Sequence, residues 1–123
     1  MTKPLALLFC EQRIPGNRLA LRLEDLGYRV QSAGADDLAR AAIKSRPMVL
    51  IVDVPSEQLG LLQAIRTLKS DEATKHIPIL AFVEKGNRKL QKLTLDAGAK
   101  LVAAADGALA QLPQLLTQLL DGD

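Results

Sequence analysis

The sequence has few of the residues from which compact binding sites are usually built. Its 123 residues include one cysteine, one histidine, two phenylalanines, one tyrosine and no tryptophan. The lone Cys10 excludes an intramolecular disulfide and a cysteine-based metal site, and the lone His76 excludes a multi-histidine site. Scarce aromatic rings argue against a stacking platform for single-stranded nucleic acid. We therefore expect an aliphatic core.

An excess of charge of either sign is also missing. The formal net charge is +2 at pH 7, too small to indicate a polyanionic partner, so no nucleic acid is expected to bind. We interpret the one denser cluster, Lys85, Arg88, Lys89 and Lys92, as a solvated helix face, with a binding patch as the alternative. No stretch is apolar enough to cross a bilayer or to act as a signal peptide. A cytoplasmic protein without a membrane partner is expected.

The sequence does contain a regular alternation of short apolar runs and longer amphipathic segments. Strands are predicted at "LALLF" (5–9), "YRVQSA" (28–33), "MVLIVD" (48–53), "IPILAFV" (77–83) and "LVAAA" (101–105). A helix is predicted after each strand, including helices over 18–26, 59–68 and 88–95. This order predicts a doubly wound α/β fold with a parallel sheet, as a single domain over 1–123 with no effector domain.

Two helix boundaries are predicted from individual residues. Asp36 or Asp37 is expected to cap the second helix, which Pro47 ends. Asp106 is expected to cap the approach to the last helix. Because proline fits best in the first turn of a helix, Pro113 predicts that this last helix begins near residue 111.

The candidate site follows from the fold, because doubly wound sheets bind ligands at the carboxyl ends of their strands. The first predicted strand leads into Cys10 and Glu11, and the third ends at Asp53. If the strand order is 2-1-3-4-5, Glu11 and Asp53 lie on neighbouring strands. The two carboxylates would then either bind a hard divalent cation or stay apart in water, and spacing alone does not decide between these outcomes.

Four segments, taken in order, resemble the receiver domains of response regulators: "LEDLGYRVQSA", "RPMVLIVDV", "IPILAFV" and "LDAGAKLV". The similarity covers essentially the whole chain. It implies a flavodoxin-like five-stranded parallel sheet of order 2-1-3-4-5 with five flanking helices. It also implies phosphoryl transfer from a histidine kinase to the aspartate that ends the third strand. In that family an acidic pair holds Mg²⁺, and a hydroxyl and a lysine contact the phosphoryl group.

The acidic part of the family's site is only partly present in this sequence. Asp53 matches the phosphoacceptor, and Glu11 matches the second acidic position. Cys10 stands at the first acidic position, so half of the pair that would hold Mg²⁺ is missing.

The hydroxyl and the lysine are also replaced. Val83 stands at the hydroxyl position, and Ala105, or Ala104 if the register shifts by one, stands at the lysine position. Lys85 lies two residues beyond Val83 and is long enough to reach the site, although nothing in the sequence requires it to do so.

We therefore interpret the chain as a degenerate receiver, or pseudo-receiver, that keeps Asp53 and acts mainly through protein–protein interaction. No enzymatic activity and no required cofactor are expected, with Mg²⁺ on Glu11 and Asp53 left open. One alternative is a working phosphorelay receiver phosphorylated on Asp53 by a histidine kinase. A second is a thiol-dependent phosphotransfer enzyme using Cys10. The Cys-x5-Arg pattern of thiol phosphatases is absent, because Gly16 is the sixth residue after Cys10.

The expected partner is a protein, either a histidine kinase or another signalling protein. The last helix is expected to leave apolar surface for such a partner or for a homodimer. The leucines expected to form this surface are Leu109, Leu112, Leu116 and Leu120.

Overall fold

Strands and helices alternate five times along the residues that the computed structural model describes, which are 3–9, 16–34, 36–54, 59–105 and 107–120. The strands are β1 (Leu5–Phe9), β2 (Arg29–Ser32), β3 (Val49–Val54), β4 (Ile79–Val83) and β5 (Leu101–Ala104). The helices are α1 (Gly16–Asp25), α2 (Leu38–Ser45), α3 (Leu59–Ser70), α4 (Arg88–Ala97) and α5 (Ala108–Leu120).

The five strands form one parallel sheet in the order β2-β1-β3-β4-β5, so the predicted doubly wound fold and strand order are confirmed. Every residue of the three central strands is buried, as expected for continuous apolar runs covered on both faces. Strands β2 and β5 form the edges and are partly exposed. All strands run the same way, so their carboxyl ends meet at one edge of the sheet.

Side chains alternate between two apolar layers, one on each face of the sheet. Buried residues of α2, α3 and α4 join one layer, which includes Val52, Val54 and Val83. Buried residues of α1 and α5 join the other, which includes Ile51, Phe82 and Ala105. Phe82 is among the largest fully buried side chains, and both layers are otherwise mainly aliphatic. The expectation of an aliphatic core is confirmed.

The predicted start of the last helix is wrong. Helix α5 begins at Ala108, and Pro113 lies inside it rather than in its first turn. An interior proline removes a backbone hydrogen bond and costs about 3 kcal/mol. Leu109, in the turn before the proline, packs against the same layer as the buried Leu112, Leu116 and Leu119, and a buried leucine contributes about 1.5–3 kcal/mol, so packing of this turn offsets part of the cost of the proline.

The predicted cap of the second helix is confirmed in its position but not in its hydrogen bond. Asp37 occupies the position before α2, but its side chain makes no capping hydrogen bond. Its backbone is in the right-handed helical region, whereas a capping residue normally takes extended dihedrals. The Asp37 carboxylate instead lies 3.4 Å from the guanidinium of Arg40 in an exposed ion pair.

The segment between α3 and β4 is held by Lys69, a residue that no sequence pattern singles out. The Nζ atom of Lys69 donates to the carbonyl oxygens of Lys75 at 3.0 Å and Ile77 at 2.6 Å. Burial, with a smaller contribution from the charge of Lys100, lowers the pKa of Lys69 below its ordinary value. The lone histidine, His76, lies exposed in this segment.

In the described part of the chain, none of the helices has both the length and the apolar character needed to span a membrane.

Candidate functional site

Asp53 lies near the end of β3, at the edge of the sheet where all five strands end. It is paired in register with Phe82 of β4, and its side chain is fully buried. Because Val49 and Ile51 belong to the layer facing α1 and α5, alternation places Asp53 on that same face. The carboxylate is therefore enclosed at the carboxyl edge of the sheet rather than presented to solvent.

The ends of the next two strands along the sheet, β4 and β5, carry apolar side chains. Val83 ends β4 and is fully buried, and Ala105 directly follows β5 and is 9% exposed. The backbone N–H of Ala105 donates to the carbonyl oxygen of Val83 at 2.8 Å, which joins the two strand ends. Ala104 pairs in register with Val83 and is half-buried. None of these three side chains can donate a hydrogen bond or carry charge.

Two predicted site residues, Cys10 and Glu11, lie outside the described part of the chain. So does Asp106, the predicted cap of the last helix. Among the residues that are described, no group of three or more histidine, cysteine, aspartate or glutamate side chains could hold a metal ion.

The basic cluster Lys85, Arg88, Lys89 and Lys92 surrounds the beginning of α4, and all four side chains are exposed. The side chain of Asn87 caps this helix by accepting from the Leu90 N–H at 3.1 Å. No acidic residue occupies the first turn, so the positive charges sit at the helix end that favours negative charge. This exposure agrees with a solvated face and equally with a binding patch.

An apolar groove of about 500 Å³ lies between the end of α1 and helix α5. No local sequence pattern indicates this groove, because its two sides are far apart along the chain. It is lined by Leu26, Tyr28, Pro113, Leu116, Thr117 and Leu120. The expectation of a surface made by four leucines needs correction: Leu112 and Leu116 are buried, Leu109 is half-buried and Leu120 is exposed.

Tyr28, at one side of this groove, gives a test of the packing there. Burial raises the pKa of its hydroxyl above the ordinary value. As pH rises past about 10, the unfolded chain ionises at Tyr28 before the folded chain does, so folding stability is lost. We expect the free energy of unfolding to fall more steeply above that pH in the wild type than in Tyr28→Phe. Urea unfolding at several pH values checks this, and parallel curves would contradict it.

Solved structures similar to this chain are receiver domains. A protein described as a response regulator from Chloroflexus aurantiacus has a TM-score of 0.87 and 21% identity, covering 98% of this chain and all of that one. The receiver domain of a Pseudomonas aeruginosa sensor histidine kinase, crystallised with a magnesium ion in its active-site cleft, has a TM-score of 0.85 at 21% identity and the same coverage. A chemotaxis response regulator from Vibrio cholerae has a TM-score of 0.80 at 20% identity, covering 97% and 100%.

No family model matches the chain, and no curated protein matches its sequence. The structural neighbours establish that the chain has the fold of response-regulator receiver domains. Because only about one residue in five is identical, these neighbours establish the fold but do not establish the activity.

Proposed function

We propose that this chain, which has the receiver fold, is a pseudo-receiver that works by binding another signalling protein, with an Asp53 that does not serve as an efficient phosphoacceptor. One observation carries the proposal. The carboxylate at the phosphoacceptor position is fully buried, and the next two strands along the sheet end in apolar residues, Val83 of the opposite layer and Ala105 of the same layer as Asp53.

The chemistry of an aspartyl phosphate explains why these residues matter. A phosphoryl group adds about two negative charges, which must be met by cations and hydrogen-bond donors. Valine and alanine supply neither. Lys85 is exposed in the turn after β4, so bringing its charge to a buried carboxylate would also require desolvating the ammonium group.

The conformational switch of a receiver is weakened for the same reason. A phosphoryl group changes conformation only through contacts that differ between two states. Val83 cannot hydrogen-bond a phosphoryl oxygen, so modification at Asp53 would have no local contact at the end of β4 through which to act. We therefore assign no catalytic role to the site and attribute function to protein-binding surfaces.

The donor set also fits Mg²⁺ poorly. Mg²⁺ requires nearly octahedral oxygen coordination and usually keeps several water ligands. Asp53 has no exposed surface with which to meet a hydrated ion, and Cys10 replaces one acid of the implied pair. Binding of Mg²⁺ by Glu11 and Asp53 stays a prediction.

Magnesium titration tests this part of the proposal. A site with a Kd of about 1 mM would, at about 10 mM Mg²⁺, raise the free energy of unfolding by about 1.4 kcal/mol. We expect Mg²⁺ to leave the free energy of unfolding of the wild type unchanged, so its thermal unfolding midpoint should not rise. The matched control is Asp53→Asn at the same ionic strength. A rise of several degrees in the wild type that is lost in Asp53→Asn would contradict the proposal.

A further inference from the structure

The amino edge of the sheet, opposite the edge that carries the candidate site, has an exposed surface where α2 ends. The Arg29 N–H donates to the carbonyl oxygen of Pro4 at 2.8 Å. The Met48 N–H donates to that of Leu5 at 2.8 Å, so the starts of β2, β1 and β3 lie side by side. Helix α2 ends just before β3. We define the amino-edge patch by six exposed side chains, which are Lys3, Arg29, Ile43, Lys44, Arg46 and Met48.

The strand residues of the patch lie on the face of the sheet that α2 covers. Val30 and the first residue of β3 belong to the layer that faces α1 and α5. Because side chains alternate along a strand, Arg29 and Met48, each one residue earlier, lie on the other face. The Ser45 hydroxyl donates to the side-chain oxygen of Gln31 at 3.0 Å, which joins the last turn of α2 to β2. The patch therefore combines the end of α2 with the strand starts beneath it.

All charged residues of the amino-edge patch carry the same sign. Within the described ranges, none of its four basic side chains forms an ion pair. Asp37 pairs with Arg40 at the other end of α2, and Glu24 and Asp25 end α1, which packs on the opposite face. The carboxyl end of α2 contributes only about half a negative charge, which four full positive charges outweigh. The patch is therefore positive, although the net charge of the chain is only +2.

Two large apolar side chains are exposed within this positive surface. Ile43 is 43% exposed and Met48 is 48% exposed. The dipole of α2 favours positive charge at its carboxyl end, which accounts for Lys44 and Arg46, but it gives no reason to leave apolar side chains in water. A protein interface gives such a reason, because it buries an apolar centre inside a polar rim.

The patch also adjoins an edge of the sheet, since β2 is the outermost strand. The N–H groups of Arg29 and Ala33 donate toward β1. Because successive N–H groups of a strand point in opposite directions, those of Val30 and Ser32 point outward. An outward row of backbone donors and acceptors pairs with another extended chain. A lipid surface or a nucleic acid has no peptide backbone with which to form this pairing.

From these features we propose that the amino-edge patch binds an extended, acidic segment of a partner protein, with part of the segment's backbone paired to β2. The inference rests on the proposed function as an interaction module and names the chemistry of its partner. Carboxylates of the segment meet the four basic side chains, and its apolar side chains cover Ile43 and Met48. Because the patch lies at the opposite edge of the sheet from Asp53, binding requires no phosphoryl group.

Fluorescence anisotropy of the full chain with a defined probe tests the charge of the patch. The probe is a fluorescein-labelled peptide in which glutamate and leucine alternate over about eight residues, the length of an ordinary strand. We expect a Kd of about 100 µM or lower that weakens as salt rises from about 0.05 M to about 0.5 M. Lys44→Glu with Arg46→Glu should raise the Kd at least about 10-fold. The matched control is Arg88→Glu with Lys92→Glu on α4, where the charge change is identical.

A second pair of variants tests the apolar part of the patch. Met48→Ser should raise the Kd several-fold, because the segment then has less apolar surface to cover. The matched control is Leu95→Ser on α4, since Leu95 is also 48% exposed, and its Kd should equal that of the wild type. Circular dichroism confirms that each variant is folded. Amide signals of Val30 and Ser32 should shift in NMR spectra when the peptide is added.

Several results would overturn the proposed partner. They are a wild type that does not bind the peptide at about 1 mM, equal weakening by the two charge-reversed variants, and amide shifts confined to α4. Tighter binding to vesicles with about 30% phosphatidylserine, or to a DNA duplex, would assign the patch to a membrane or a nucleic acid instead. In each case the pseudo-receiver proposal would still depend on its own test, because only a phosphoryl adduct on Asp53 overturns that proposal.

Discussion

Replacing Gly98 by alanine is expected to lower the free energy of unfolding by about 2–5 kcal/mol. Gly98 ends α4 with a φ of +132°, a conformation that costs a residue with a Cβ about 1–2 kcal/mol. An added Cβ would overlap the Cγ of Lys69 and lie 3.2 Å from its Cβ. Overpacking of this kind costs about a further 1–3 kcal/mol.

Lys69 cannot easily move away from the new methyl group. Its Nζ atom is held by two carbonyl oxygens beyond the end of α3, so shifting the stem would break hydrogen bonds from a partly buried ammonium. The Gly98 N–H also donates to the Leu95 carbonyl at 3.0 Å, which fixes the turn from the other side. Urea unfolding followed by circular dichroism measures the loss.

Gly86→Ala is the matched control. Gly86 has a φ of +88°, but a Cβ there would meet no atom within 4 Å. The conformational cost alone should appear, about 1–2 kcal/mol. The combination of Gly98→Ala with Lys69→Ala should cost less than the sum of the single changes. Equal losses in Gly98→Ala and Gly86→Ala, or strict additivity with Lys69→Ala, would show that the contact with Lys69 does not matter.

The second large effect concerns phosphorylation of Asp53. We expect Val83→Thr combined with Ala105→Lys to react with a small phosphodonor at least about 100-fold faster than the wild type. The reason is that one correctly placed donor is typically worth a factor of about 10²–10³ in such a reaction. Ala105 directly follows β5, so a lysine there can keep its stem against the sheet while its ammonium reaches the carboxyl edge.

Two controls separate chemistry from misfolding in this experiment. Ala105→Lys alone keeps the Val83 side chain in the core, so it remains informative if the buried threonine hydroxyl destabilises the double variant. Adding Asp53→Asn to the double variant should abolish the reaction. If the folded double variant is no faster than the wild type, Val83 and Ala105 are not what limits phosphorylation.

The fold could be predicted from the sequence because its signals are local and repeat. The apolar runs ending at Phe9, Asp53 and Val83 are long enough to indicate strands buried on both faces, and a helical pattern follows each one. The preference of proline for the first turn of a helix gave a wrong prediction where packing competed with it. Pro113 predicted a helix start, but the burial of leucines on both sides of the proline extends α5 by more than one turn before it.

The site was only partly predictable, because its decisive features join distant residues. The strand-end rule located Asp53, but its complete burial depends on packing that no pattern in "MVLIVDVPS" reveals. The groove joins Tyr28 to Thr117, and the turn at Gly98 depends on the stem of Lys69.

The most direct test of the central claim is intact-mass spectrometry of the folded wild type after incubation with a small-molecule phosphodonor and Mg²⁺, with Asp53→Asn alongside. We predict that the two proteins gain the same mass, with no phosphoryl group attributable to Asp53. A phosphoryl adduct on the wild type that is absent from Asp53→Asn would contradict the account. It would show that the buried carboxylate opens to reagents and that another group supplies the charge that Val83 and Ala105 cannot.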